Sequence, residues 1–378
     1  MGAVRRRPLV SLMLLGALAC ASLSGCSHHS SGRGATPTSR TGGSEGPTTS
    51  TAPAPPSGLH SVSFLTDQEG WALSEAPCPA PRGDQARCGV VWKTTDGGRS
   101  WTRLAQLDVP AGGAAGAAVS SVRFADAQRG WVFNRALLAT FTGGRRWQPV
   151  DLGDPVVDVE VAGGTAYALV GSCPGANGAC SAPIRLAEGT VATGRWRYAG
   201  VGFDLPATDA GTLVVNRSSV YAVISGGGVD ELLLARTAAG RWERRTPPCL
   251  RSIVAPITDG DGLVAACRPA TPGGPVELQT SSDGGRTWAV VWQSTFTGPV
   301  VSLAVTGQAA VVALENGDVL RSSDNGMSFS PVLHTGANPA VTFTDAEHGV
   351  LTAGPPGGRQ LLRTADSGAS WTELPPPA

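Results

Sequence analysis

The chain has 378 residues, 41% of them hydrophobic, and is long enough to bury a substantial core. Its 29 basic residues balance its 29 acidic residues, which gives no electrostatic basis for binding nucleic acid. The 51 glycines and 29 prolines favour many turns joining short strands over long helices.

Residues 1–26 have the features of an export signal. Three arginines, Arg5 to Arg7, precede an apolar run that is short for a membrane span and ends in small residues. The run "LSGC", Leu23 to Cys26, resembles the bacterial lipobox, in which the cysteine is lipidated and becomes the first mature residue. We therefore predict a lipoprotein signal peptide over residues 1–25, lipidation of Cys26, and anchoring at the extracytoplasmic face of the cell membrane. An ordinary leader with a chance cysteine is the alternative.

Residues 26–58 are rich in serine, threonine, glycine and proline and almost free of large apolar groups. Such a segment cannot bury enough surface to offset the entropy lost on ordering. We predict a disordered tether that holds a folded domain clear of the membrane.

Beyond the tether, a phrase ending in an aromatic residue recurs seven times. Its clearest copies are "KTTDGGRSW", "TSSDGGRTW" and "RTADSGASW", and its anchor aromatics lie 41 to 49 residues apart. Upstream in each unit is a second phrase, such as "SVSFLTDQEGWAL", that predicts two short strands joined by a turn. Each unit thus supplies four strands, A to D, and the period is typical of a propeller blade. The anchor aromatics are Trp101, Trp147, Trp196, Trp242, Trp288, Phe329 and Trp371.

The prediction is therefore an all-β fold, a seven-bladed β-propeller of four-stranded antiparallel blades over residues 59–376. The units run in phase from strand A of the first blade to strand D of the last. We accordingly expect the ring to close without a shared strand.

The recurring aspartate is predicted to be structural. In the copy around Asp283, the carboxylate can accept backbone N–H bonds across the tight turn between strands C and D, while the glycines can take positive φ. Trp288 then begins strand D and can bury a large apolar area between blades. Catalysis needs one convergent constellation, whereas these acids recur around the ring. The Asp-box residues assigned in this way are Asp96, Gly98, Trp101, Asp283, Gly285, Trp288, Asp324, Gly326, Phe329, Asp366, Gly368 and Trp371.

The hydroxyl-x-Asp-x-Gly-x-hydroxyl-Trp phrase resembles the BNR or Asp-box repeat of bacterial sialidases and related propellers. Together with the Phe-x-Asp-x-x-x-Gly-Trp phrase, it is more similar to the photosystem II stability/assembly factor-like propellers, whose fold is a seven-bladed β-propeller. The resemblance covers residues 59 to 376. Blades 3 and 4 lack the aspartate, so we expect their C–D turns to be held less firmly.

A sialidase-like activity would need an arginine triad, a tyrosine nucleophile and an acid/base aspartate. The chain lacks the Phe/Tyr-Arg-Ile-Pro phrase of that family and offers only Tyr167, Tyr198 and Tyr221. Glycoside hydrolysis needs two opposed carboxylates, and the 29 acids neither exclude such a pair nor single one out. No catalytic residue is assigned, and a carbohydrate-active propeller, either hydrolysing or binding glycans, remains the alternative function.

The sequence contains no motif typical of a metal site or a cofactor site. The histidines His60, His334 and His348 are scattered and lack metal-ligand spacing, so we expect them to be solvated. We expect no metal and no cofactor.

Six cysteines remain after Cys20 leaves with the leader and Cys26 is lipidated, and an even number in an exported domain favours disulfides. Six cysteines allow 15 connectivities, from which the blade assignment selects one. It pairs Cys78 with Cys88, Cys173 with Cys180, and Cys249 with Cys267. All six should lie at the end of the ring where the B–C and D–A connections emerge, together with the long proline-containing insertions.

Long loops on a rigid ring are where binding commonly resides, although they can equally be tolerated insertions. The sequence therefore predicts an interaction or assembly module at the bacterial cell envelope. Its partner is an unknown envelope protein or glycan, its membrane contact is the lipid anchor, and the domain is expected to be monomeric.

Overall fold

The computed structural model describes residues 58–377, apart from 80–85, 113–117, 172–182, 202–204, 206–209, 218, 227–228, 250–251, 259–261, 269–270, 272–273, 294–295, 297 and 308. The described residues form strands, turns and bends, and none of them is helical. No helix long and apolar enough to cross a membrane therefore occurs among these residues. Their strands form seven four-stranded sheets, each antiparallel throughout, so the predicted seven-bladed propeller is confirmed.

Each blade takes four consecutive strands, which are its strands A to D in order. Blades 1 to 3 contain β1 (Ser61–Phe64), β2 (Gly70–Pro77), β3 (Arg87–Thr94), β4 (Thr102–Pro110); β5 (Ser121–Phe124), β6 (Gly130–Asn134), β7 (Ala136–Thr140), β8 (Gln148–Pro149); and β9 (Val156–Ala162), β10 (Thr165–Val170), β11 (Arg185–Thr190), β12 (Trp196–Tyr198). Blades 4 and 5 contain β13 (Ala210–Asn216), β14 (Ser219–Gly226), β15 (Val229–Arg236), β16 (Trp242–Arg245); and β17 (Ser252–Pro256), β18 (Leu263–Cys267), β19 (Glu277–Ser281), β20 (Ala289–Gln293). Blades 6 and 7 contain β21 (Val300–Val305), β22 (Ala310–Leu314), β23 (Asp318–Ser322), β24 (Ser330–His334); and β25 (Ala340–Phe343), β26 (Gly349–Ala353), β27 (Gln360–Thr364), β28 (Thr372–Leu374).

The second strand of each blade shows why the sheets must stack side by side. Every residue of β18, "LVAAC", and of β26, "GVLTA", is buried. A strand reads as a continuous apolar run when both faces of its sheet are covered. Each blade therefore needs a neighbour on both sides, and a ring provides one.

Seven hydrophobic clusters fill the seven spaces between blades, and each contains one anchor aromatic. Each aromatic packs against the preceding blade. The Trp288 indole N–H of blade 5, for example, donates to the Thr246 carbonyl of blade 4 over 3.0 Å. The anchor aromatics thus pack between neighbouring sheets as predicted, with Trp242 buried and the other six partly buried, and they give every interface a similar apolar component.

The innermost strands are joined around the centre of the ring by side chains. A hydroxyl or carboxylate on one strand A accepts a backbone N–H from strand A of the next blade, which satisfies donors at the inner sheet edge. These contacts join Val122 N to Ser61 Oγ (3.3 Å), Phe124 N to Ser63 Oγ (3.0 Å), Leu213 N to Asp158 Oδ2 (2.8 Å) and Val341 N to Ser302 Oγ (3.0 Å).

Blade 7 packs against blade 1 through side chains, and in the described residues neither sheet borrows a strand from the other. Leu361 and Leu374 of blade 7 pack with Leu59 of blade 1 in the closing interface. Polar contacts support this packing, since Arg363 Nη2 donates to Asp67 Oδ2 over 3.2 Å. The Trp101 indole N–H donates to the Pro375 carbonyl over 3.2 Å. Closure rests on packing of the same kind that joins the other blades.

Leu361→Ala should therefore destabilise the whole ring. Leu361 is fully buried in the closing interface, and leucine truncation at such a site costs ~2–5 kcal/mol. Met327→Ala is the control, because Met327 is 67% exposed and exposed substitutions typically change stability by less than ~0.5 kcal/mol. Chemical denaturation of the two variants measures the difference, and equal stabilities would show that this interface does not hold the ring closed.

Candidate functional site

The candidate site is the end of the ring where the B–C and D–A connections emerge, which we call the cysteine face. Cys78 follows β2, Cys88 lies in β3, and a disulfide with a Cα–Cα distance of 4.8 Å joins them. A second disulfide joins Cys249, after β16, to Cys267 at the end of β18, with a Cα–Cα distance of 5.8 Å. Cys173, Cys180 and Cys26 lie outside the described residues. The two disulfides fix four strand ends of this face.

A chain of polar side chains, running from a buried histidine to an exposed arginine, lies beside the first disulfide. His60 Nε2 donates to Glu75 Oε2 over 2.8 Å, and Arg87 Nε donates to Glu75 Oε1 over 3.2 Å. The side chain of His60 is only 3% exposed, so the prediction that His60 is solvated is wrong. His334 and His348 are 71% and 28% exposed and pair with Asp318 and Asp345.

The burial of His60 follows from contacts that are distant in sequence. Leu59, its neighbour, is fully buried in the closing interface, and its carbonyl accepts the backbone N–H of Gly357 from blade 7 over 3.2 Å. His60 Nδ1 is buried and has no hydrogen-bond partner within the described part of the chain. Its hydrogen-bonding capacity is therefore unused among the described residues.

Near the second disulfide, the carboxylate of Glu231 accepts the backbone N–H of Ser252 over 2.6 Å and also the Ser252 hydroxyl. Ser252 pairs with Cys267 across β17 and β18. Burial raises the pKa of Glu231, against the opposing effect of these bonds from Ser252. Glu231 thus links blade 4 to blade 5 directly beneath the disulfide.

A cavity of about 870 Å³ occupies the centre of the ring and is lined mainly by strands A. His60 and Ser120 line it near the cysteine face, and Arg123 and Glu160 form an ion pair farther along the wall. Burial raises the pKa of Glu160 to about 7, although Arg123 opposes the shift. Burial also raises the pKa of Asp158, although its backbone bond from Leu213 opposes the shift. Both carboxylates are therefore engaged within the ring, Glu160 with Arg123 and Asp158 with the Leu213 N–H.

The described residues contain no group of three or more histidine, cysteine, aspartate or glutamate side chains placed to hold a metal ion. The tyrosines also lie away from the channel wall. Tyr167 and Tyr221 are buried in the interfaces on either side of blade 4. Tyr198 lies in the outer strand β12, where its hydroxyl donates to the Leu152 carbonyl and Arg185 stacks on its ring at 4.0 Å.

The opposite end of the ring carries the C–D turns with their aspartates. In blade 5, Asp283 Oδ1 accepts the Ser281 hydroxyl (2.9 Å) and the backbone N–H groups of Arg286 (3.0 Å) and Thr287 (2.9 Å). Asp283 Oδ2 accepts the Thr287 hydroxyl over 2.6 Å. Asp96, Asp324 and Asp366 accept equivalent bonds from the hydroxyls and backbone on either side of them. The carboxylate in each turn is therefore saturated by its own hairpin.

These bonds also set the acidity of the four aspartates. Hydrogen bonds from the Ser100 hydroxyl and backbone lower the pKa of Asp96 to about 2, and those from Ser328 do the same for Asp324. The Thr287 hydroxyl and backbone hold the pKa of Asp283 well below its usual range. At Asp366, burial favours a higher pKa, but the hydrogen bonds from its turn outweigh burial and lower the pKa. All four remain ionised acceptors.

The glycines of these turns bring neighbouring blades close together. At Gly98, with φ of 89°, an added Cβ would lie 2.9 Å from Leu374 Cδ1 of blade 7. At Gly368, with φ of 82°, it would lie 2.8 Å from Val311 Cγ2 of blade 6. Positive φ and interblade contact both require glycine here.

Blades 2 and 4 replace the aspartate network with fewer bonds. Thr142 Oγ1 accepts the Arg146 backbone N–H over 2.9 Å in blade 2, and Thr237 Oγ1 accepts that of Arg241 over 3.2 Å in blade 4. In blade 3 the Gly194 N–H bonds to the Thr190 carbonyl over 2.7 Å. A hydroxyl or carbonyl does here what the carboxylate does in the other blades.

The fold and the two ends of the ring define a seven-bladed β-propeller with disulfide-closed connections at one end. No family model and no curated protein matches the chain. Similar solved structures include YCF48 bound to D1 peptide, with 18% identity, a TM-score of 0.56, and coverage of 82% of this chain and 94% of that one. YCF48 from Cyanidioschyzon merolae has 19% identity, a TM-score of 0.55, and coverage of 82% and 97%.

A GH74 enzyme of Niastella koreensis has 12% identity and a TM-score of 0.33, with coverage of 84% of this chain and 71% of that one. At these identities, the likeness to the YCF48 structures concerns the fold. The GH74 structure is too distant to bear on activity.

Asp96→Asn should weaken the acid dependence of stability. The lowered pKa means that Asp96 stabilises the fold above about pH 4 and that this contribution is lost as the pH falls toward 2. The wild type should therefore lose stability more steeply than Asp96→Asn across this window. Thermal denaturation followed by circular dichroism from pH 2 to 7 is the measurement.

Ser100→Ala removes the hydroxyl that donates to the same carboxylate over 2.6 Å. It should likewise reduce the loss of thermal stability as the pH falls. A loss of stability as steep in both variants as in the wild type would contradict the assigned role of Asp96.

Proposed function

We propose that this chain is a lipid-anchored, extracytoplasmic propeller that binds a partner protein at the bacterial cell envelope and acts as an interaction or assembly module. The observation that carries the proposal is the asymmetry between the two ends of the ring. The four aspartates at one end accept bonds from their own hairpins, whereas the other end carries disulfide-closed connections. Recognition is therefore assigned to the cysteine face.

A rigid face suits this role because little conformational entropy is lost when a partner binds. Cys88 and Cys267 are buried, and the disulfides tie the residues that follow β2 and β16 to β3 and to the end of β18. YCF48, which has a similar fold, has been solved with a bound D1 peptide, and this supports a protein segment over a glycan as the ligand.

The BNR or Asp-box identity of the turns belongs to the same proposal, with the aspartates as structural elements. So does the membrane anchor. A tether from Cys26 to the first blade would hold the ring near the membrane while leaving the face free to turn toward a partner.

Replacement of residues 79–86 and 173–180 by short Gly-Ser turns should leave the ring folded and reduce capture of envelope proteins in a crosslinking pull-down. A matched Gly-Ser insertion between Gly163 and Gly164 is the control, because this turn is exposed, lies at the opposite end, and leaves open space where a side chain would extend. Circular dichroism establishes that both variants fold.

Equal capture by the loop-replaced protein and the control would place the binding surface elsewhere. Turnover of sialosides or other glycosides by the purified wild type, at enzyme-like rates, would replace the proposal with the carbohydrate-active alternative.

Cys26→Ala should abolish lipid attachment and release the protein from the membrane fraction. Metabolic labelling with a fatty-acid probe, followed by fractionation, measures both effects. Cys20→Ala is the matched control because Cys20 lies within the predicted signal peptide and should leave labelling unchanged. Labelling that persists in Cys26→Ala would remove the lipobox assignment.

A further inference from the structure

The residue directly before the anchor aromatic differs between the blades that have the turn aspartate and those that lack it. In blades 1, 5, 6 and 7 it is a serine or threonine whose hydroxyl donates to that aspartate. These residues are Ser100, Thr287, Ser328 and Ser370. In blades 2, 3 and 4 the same position is arginine, namely Arg146, Arg195 and Arg241. The blades that lack the carboxylate thus carry a cation where the others carry its hydroxyl donor.

The arginines of these three turns are exposed and have no acidic partner. Arg146, Arg195 and Arg241 are exposed, and so is Arg145, which precedes Arg146 in blade 2. Among the residues that the structure describes, no ion pair involves any of the four. Their positive charge is therefore available to a ligand.

The end of the ring that carries the C–D turns is divided by charge. The C–D connections of blades 2 to 4, which we call the basic turns (residues 141–147, 191–195 and 237–241), contain four arginines and no acid. The C–D connections of the other four blades contain four aspartates and two arginines. The A–B connections of blades 1 and 7 lie at the same end and add Asp67, Glu69, Asp345 and Glu347. Three adjacent blades are thus basic at this end, and acids gather around blades 7 and 1.

This division of charge determines which partner the basic turns fit. A flat anionic surface, such as a bilayer of acidic lipids, would also meet the acids of blades 7 and 1, and like charges repel. A narrow acidic chain can lie along blades 2 to 4 alone. Arginine suits carboxylates in particular, because its planar guanidinium can donate two parallel N–H bonds to one carboxylate. The chain as a whole has no net charge, which gives no electrostatic basis for nucleic acid as the ligand.

We propose that the basic turns form a second interaction surface, which binds a segment of a partner protein that is rich in aspartate and glutamate. The segment crosses the C–D turns of blades 2, 3 and 4 and supplies the negative charge that these turns lack. The surface lies opposite the cysteine face and does not depend on the function assigned there. A ring that binds at both ends can join two proteins.

A fluorescein-labelled decaglutamate peptide is the probe, added to the protein purified in a neutral detergent and followed by fluorescence anisotropy. Binding should weaken as the salt concentration rises, because exposed ion pairs are screened. The triple variant Arg146→Ser, Arg195→Ser, Arg241→Ser gives each turn the hydroxyl that the other blades carry. It should raise the Kd for the peptide at least about tenfold, because three charge pairs are lost together. Lysine at the same three positions keeps the charge and should bind more tightly than serine.

The matched control is the triple variant Arg99→Ser, Arg103→Ser, Arg286→Ser. It removes three exposed arginines outside the basic turns, two of them from C–D turns at the same end of the ring. Its net charge equals that of the first serine variant, and it should raise the Kd less than about twofold, because screening limits the effect of distant charges. Thermal denaturation followed by circular dichroism establishes that both variants fold.

Equal losses of affinity in the two serine variants would overturn the proposal, and so would the absence of peptide binding by the wild type at low salt. Competition identifies the class of ligand. A thymidine decamer or short-chain phosphatidylglycerol that displaces the labelled peptide at a lower concentration than unlabelled decaglutamate would also overturn the proposal, by assigning the surface to nucleic acid or to lipid.

Discussion

The packing of one blade against the next is the interaction on which the rest of the structure depends. A four-stranded sheet whose second strand is buried on both faces has no stable isolated form, so each blade needs two neighbours. The anchor aromatic at the start of each strand D meets that need by packing into the preceding blade. The last interface between blades 7 and 1 uses the same means, so the ring is closed by seven similar interfaces.

The two ends of the ring differ in the contacts that hold their turns and connections. The C–D turns are local structures, in which the carboxylate of Asp283 is satisfied by residues no more than four positions away. Their glycines also let neighbouring blades approach closely. The B–C and D–A connections have no such constraint, and they carry the disulfides and the buried His60 to Glu75 contact. Interblade contacts also reach this end, since Leu59 accepts the Gly357 N–H of blade 7 and Glu231 accepts the Ser252 N–H of blade 5.

A propeller also has two sets of strand edges, at the centre and at the rim. At the centre, Ser61, Ser63, Asp158 and Ser302 accept N–H groups from the next blade, because the first strands lie close together there. At the rim the strands diverge and cannot satisfy each other, so protection falls to charge and proline. β20 of blade 5 contains neither charge nor proline, and a register shift interrupts its ladder with β19 instead.

The sequence by itself determined the blade number, the turn chemistry and the packing of the anchor aromatics between blades, because these features are local and repeat with a fixed period. The Asp283 turn is complete within seven residues, and its recurrence marks successive blades. Only the tertiary structure decided the environment of His60, which depends on Glu75 and on Leu59 contacting blade 7 nearly three hundred residues away. The tertiary structure likewise decided that Asp158 accepts the backbone N–H of Leu213 and that Val290 is exposed to solvent. Local periodicity specifies which residues form a blade, whereas distances across the closed ring specify what each side chain meets.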